Sequence, residues 1–77
     1  MLRLHPQVSV RPEPFGALLY HFGTRRLSFL KDRRLLDVVQ SLDGSRTVDE
    51  ALLAVPAGDR PAFRAALATL ETTGMLQ

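Results

Sequence analysis

With 77 residues the chain has room for one core, and a chain of this size buries only about 60% of the surface it exposes when unfolded, so its stability is marginal. At 45% apolar and 23% charged it is too apolar for disorder, and the absence of cysteine excludes disulfides, thiolate metal sites and cysteine catalysis. The net charge of +2 is unevenly spread: residues 1–34 carry seven basic and two acidic side chains, residues 35–77 three and six, so the first part suits an acidic peptide, a nucleic acid or an acidic protein surface.

Gln7–Arg11 alternates, with Val8 and Val10 on one face of a first strand over 7–11. The prolines at 12 and 14 then end it. Residues 16–22 and 25–30 read as a hairpin around Gly23 and Thr24, where Gly23 supplies the positive φ of a type II′ turn. In that register Tyr20 faces Leu27 and Leu18 faces Phe29. Leu18, Tyr20, Phe22, Leu27 and Phe29 then form the expected core face, stabilised by cross-strand aromatic–aliphatic pairs. The other face is mixed: Ala17, Leu19, His21, Arg26, Ser28 and Leu30.

After Leu30 the period becomes helical. Asp32 caps a helix over 32–42 with an apolar stripe of Leu35, Leu36, Val38, Val39 and Leu42. Thr47 and Glu50 form a capping box for a helix over 48–54. Asp59 caps a third helix over 60–73, with Pro61 tolerated in its first turn and Phe63, Ala66, Leu67 and Leu70 as its buried stripe. Gly74 is the expected C′ residue. The fold class is α+β, three antiparallel strands followed by three helices in one domain spanning 1–77.

The chemistry is sparse. His5 lies in an expected frayed N-terminus and His21 reads as a partly exposed sheet residue opposite Arg26; neither has an acidic neighbour in sequence. Asp49 and Glu50 sit in a helix first turn, where they favour the dipole. No P-loop, H-E-x-x-H or EF-hand spacing occurs, so no metal, cofactor or catalytic role is assigned. No apolar run approaches the roughly 18 residues of a membrane span and no signal-peptide core follows Met1, so the expectation is a cytoplasmic protein without a membrane partner.

The basic cluster Arg25, Arg26, Lys31, Arg33 and Arg34 is either a solvated rim or a docking surface. A winged-helix DNA-binding module is the alternative reading. Its best recognition helix, RPAFRAALATLETT, offers only Arg60 and Arg64, opposed by Asp59 and Glu71, and lacks Asn, Gln and Lys, so no specific nucleic acid is expected. A peptide fits better. If the first strand joins the far side of the second, the third is a free edge, which invites an added strand. A proline at Ser28 probes this edge if the Ser28 N–H faces outward.

The run VSVRPEPFGALLYHFGTRRLSFLK, followed by LLDVVQSL, resembles the peptide chaperone of the mycofactocin system, the MftB family, within the PqqD-like group of precursor-peptide recognition elements. The resemblance implies a compact winged-helix-like fold and a non-enzymatic role. It implies binding of the leader of a ribosomal precursor peptide and its presentation to a radical SAM maturase, which carries the iron–sulfur clusters and modifies the peptide's C-terminal Val–Tyr end. Carried over, the leader lies along Arg26, Leu27, Ser28, Phe29 and Leu30, with Arg60, Arg64, Leu67, Ala68 and Glu71 as helix-side candidates. Arg25, Arg26 and Lys31 would attract its acidic residues. A homo-oligomer or strand-exchanged dimer is a further expectation for such an edge and a marginal core.

Overall fold

The computed structural model describes residues 1–77. Three strands, β1 (Val8–Glu13), β2 (Gly16–His21) and β3 (Arg26–Leu30), form an antiparallel sheet in the order β1-β2-β3. Helices α1 (Arg33–Ser41), α2 (Val48–Leu52) and α3 (Arg60–Thr72) follow, with a 3₁₀ turn at Ala57–Asp59 leading into α3. The architecture is the α+β one expected from the residues.

The hairpin register is the expected one, with Tyr20 opposite Leu27 and Leu18 opposite Phe29. Its buried face is not. Ala17, Leu19 and Leu30 are at most 1% exposed, whereas Leu27 and Phe29 are about 60% exposed. The reason lies in β1. Val8 pairs with His21 and Val10 with Leu19, so the apolar side of β1 continues the Ala17–Leu19–His21 face, while Ser9, Arg11 and Glu13 continue the aromatic face. The helices cover the side that carries Val8, Val10, Ala17, Leu19 and Leu30, with His21 and Arg26 at its turn end. Leu19 and Leu30 pack there with the α1 stripe, Leu52, Leu67 and Leu70.

Three local expectations change. First, β1 runs through Pro12 to Glu13. Phe22 N donates to Gln7 O, and bonding positions alternate along an antiparallel pair, so the Pro12–Ala17 pair is a non-bonded one. The missing N–H of Pro12 therefore faces the open side of an edge strand, where it costs nothing.

Second, the loop is four residues, Phe22–Arg25, and the positive φ is at Arg25 (60°), not at Gly23. His21 is buried, and its Nδ1 accepts from the backbone N–H groups of Gly23 (3.0 Å) and Thr24 (3.1 Å), which folds the loop over the imidazole. Gly23 serves close packing instead: a Cβ there would lie 2.8 Å from Cε1 of the buried His21 ring.

Third, the N-terminus is tied down. Arg3 and Gln77 exchange two backbone hydrogen bonds of 2.9 Å, His5 N donates to Met75 O, and the His5 and His21 rings lie 4.4 Å apart.

The helix ends follow the local code more closely. Asp32 Oδ1 accepts from Arg34 N, and the Thr47–Glu50 box is closed in both directions. Gly74 at φ 84° completes a Schellman end, with Met75 N donating to Leu70 O and Gly74 N to Glu71 O. Asp59 departs from expectation. The 3₁₀ turn already places it in helical geometry, so its side chain makes no cap and instead accepts from Arg34 Nη1 at 2.9 Å.

Candidate functional site

The outer edge of β3 follows from the hydrogen-bond alternation. Phe22, Tyr20 and Leu18 direct their backbone groups toward β1, so His21, Leu19 and Ala17 direct theirs toward β3. The facing residues Arg26, Ser28 and Leu30 point inward, and His21 O accepting from Arg25 N agrees with this. The N–H and C=O groups of Leu27 and Phe29 therefore point outward, and no strand of this chain meets them. Ser28 N–H faces β2, so a proline there breaks the internal ladder and is not a clean probe of the edge.

Beside this edge runs a groove of about 400 Å³ between β3 and the helices. Its strand wall is Leu27–Lys31; its helix wall is Leu35 of α1 with Ala66, Thr69 and Leu70 of α3. This space holds several side chains of an extended peptide but not a folded partner. Leu30 and Leu70 are buried at its floor, and Thr69 is exposed at its rim.

Of the residues singled out in the sequence, the structure brings together Leu27, Ser28, Phe29, Leu30 and Lys31 along the groove, with Arg25 and Arg26 at its turn end. The helix-side candidates do not line it. Arg60 Nε donates to the carbonyls of Leu52 (3.0 Å) and Val55 (2.9 Å), closing the end of α2. Arg64 pairs with Asp49. Leu67 is in the core, and Ala68 and Glu71 lie on exposed parts of α3 away from the groove wall. Sequence reasoning missed all four helix-wall residues: it places Leu35, Ala66 and Leu70 only in buried stripes and does not single out Thr69. Thr69 follows Ala66 by three positions, so the i, i+3, i+4 spacing of Ala66, Thr69 and Leu70 was the available signal.

The basic cluster divides in two. Arg34 is held by Asp32 (2.8 Å) and Asp59 (2.9 Å) and its guanidinium carbon lies 5.2 Å from the Phe63 ring centroid, so it fastens α1 to α3. The hydrogen bond from Arg34 holds the Asp32 carboxyl below its ordinary range. Arg25, Arg26, Lys31 and Arg33 form no ion pair, and residues 14–31 contain no Asp or Glu. The β2–β3 hairpin is therefore a local field of uncompensated positive charge. No group of three His, Asp or Glu side chains is placed to hold a metal ion, and Nδ1 of both histidines accepts backbone N–H groups.

These features make the chain an α+β module in which the outer edge of β3 is unpartnered and lies beside an apolar, cation-flanked groove. The chain belongs to the peptide chaperone MftB family, whose profile matches residues 1–77. It is 53% identical over 76 residues to a peptide chaperone MftB of Mycolicibacterium smegmatis, covering 96% of this chain and 74% of that one. It is 82% identical over 40 residues to that of Mycobacterium tuberculosis (52% and 37%), and 63% over 57 residues to that of Mycobacterium ulcerans (74% and 52%). Over those last two relatives the matched stretches thus span only about a third to a half of their length. No solved structure matches the chain. No helix is long and apolar enough to cross a membrane.

Proposed function

We propose that this chain is a peptide chaperone of the mycofactocin system that binds the leader of the precursor peptide as a fourth strand along β3 and presents it to a radical SAM maturase. The observation that carries the reading is the pair of outward-facing backbone groups at Leu27 and Phe29 beside the apolar groove. Main-chain hydrogen bonds supply affinity in this mode, and the groove selects alternate side chains. The PqqD-like, winged-helix-like relationship and the cytoplasmic location belong to the same proposal. DNA reading is disfavoured because Arg60 and Arg64 of α3 are both engaged internally. In this reading the chaperone binds and positions peptide; the chemistry belongs to the maturase.

The test is an NMR titration with the leader, using two proline variants. Amide shifts are expected in residues 25–31 and on α3 at Ala66–Leu70. Leu27→Pro removes an outward donor without touching the β2 ladder, so it should stay folded and bind at least tenfold more weakly. Ser28→Pro should instead unfold the hairpin. Undiminished leader binding by folded Leu27→Pro, or shifts confined to α1, would refute the docking mode. Precursor incubated with this protein alone should keep its mass; modification without the maturase would sink the non-enzymatic role.

A further inference from the structure

The sheet face turned away from the helices is apolar and uncovered. Phe15, Phe22, Leu27 and Phe29 are 47%, 62%, 58% and 60% exposed, and half-buried Leu18 and Tyr20 fill the space between them. The rings are organised: Tyr20 meets Phe22 edge-on at 4.9 Å, and Phe15 lies 6.5 Å from Phe29. Together these side chains expose roughly 500 Å² of apolar surface, near the upper limit of what an ordinary monomer leaves open.

We propose that this face is a second interaction surface, which docks a folded protein bearing an apolar patch flanked by carboxylates while the β3 edge holds peptide. Charge selects the occupant. Arg25 and Lys31 bracket β3 without acidic partners, Arg11 sits on the same face of β1, and the only carboxylate there is Glu13, already paired with Arg11 at 2.8 Å. A second copy would bring the same cations against themselves, which opposes a symmetric dimer through this face. An anionic membrane would gain only about 1 kcal/mol from each of these few cations. An acid-rimmed protein gains from both the apolar centre and the rim. The strands here are paired, so the face offers side chains and no backbone; it suits a folded surface, not an extended peptide. The surface is continuous with the peptide edge at Leu27 and Phe29, so a protein seated here lies beside the bound leader.

The choice of probe rests on the proposed function, since the partner able to use that adjacency is the enzyme that modifies the peptide. Purified maturase is titrated into leader-saturated protein, wild type and Phe15→Ser/Phe22→Ser, and leader affinity is measured in parallel. The expected result is at least tenfold weaker maturase binding by the double variant with leader affinity unchanged within twofold. Arg25→Glu should slow maturase association. Leucine methyl signals of the wild type give a readout independent of any variant: Leu18, outside the groove, should shift on maturase addition. Equal maturase binding by the double variant, or an unmoved Leu18 methyl, overturns the proposal and leaves the chaperone reading intact. Dimerisation or vesicle binding that the double variant abolishes, with maturase binding unaffected, assigns the face to another occupant and also overturns it. Wild-type protein that binds neither leader nor maturase refutes the chaperone reading itself.

Discussion

Gly16 and Arg25 show how much a single position carries at the ends of the hairpin. A Cβ on Gly16 would lie 1.9 Å from Leu30 O and 2.9 Å from its carbonyl carbon, both rigid backbone atoms of the neighbouring strand. Gly16→Ala should therefore lower stability by about 3 kcal/mol, the upper range for forced overpacking, in urea unfolding. A methyl group on Gly58 would meet no atom within 4 Å, so Gly58→Ala is the neutral control. Arg25 sits at φ 60°, which Asn tolerates better than Arg. Arg25→Asn should leave stability unchanged or raise it by up to about 1 kcal/mol while slowing association with an acidic leader. A loss of stability on that substitution would show that the Arg25 side chain holds the loop.

Among the elements, the helix starts depend on carboxylates. Glu50 accepts the Thr47 N–H and Asp32 accepts from Arg34, and these bonds lower both carboxyl pKa values from their ordinary 4.5 and 3.8. Asp43 is lowered in the same way by Ser45. A depressed folded-state value contributes stability that is present above the unfolded pKa and lost as pH falls through the folded one. Urea midpoints should therefore decline as pH falls below about 4.5. Thr47→Ala should cost about 1 kcal/mol at neutral pH and reduce that acid-side decline, because part of it has already been removed. An identical pH profile in the variant would contradict the assignment.

Across the whole molecule, charge and apolar surface are separated. The acids lie chiefly on the helical side, where Arg34, Arg60 and Arg64 are engaged, and the hairpin keeps Arg25, Arg26 and Lys31 free. Such an arrangement acts mainly on encounter rates. Arg26→Glu should slow leader association severalfold and flatten its dependence on salt, with a smaller effect on dissociation, as stopped-flow mixing at two ionic strengths would show. A change confined to dissociation would place Arg26 in a direct buried contact instead.

The elements, the hairpin pairing, the Thr47–Glu50 box and the Gly74 helix end are all legible in the order of residues. Each is a signal completed within a few positions: alternation, a cap, a side chain reaching its own turn. The same reading marks residues 26–30 as an edge. Which side of the sheet is buried is not legible there, because it depends on β1, whose Val8 and Val10 meet His21 and Leu19 across the sheet. The hairpin alone has its larger apolar residues on the open face, so counting them points to the wrong side. The same holds for α3. Arg60 and Arg64 look available in sequence, and it takes the packing of α2 to bring the Leu52 and Val55 carbonyls and the Asp49 carboxylate to them. A long side chain goes to whichever unsatisfied polar group the fold places within its reach, and that group is rarely a neighbour in the chain.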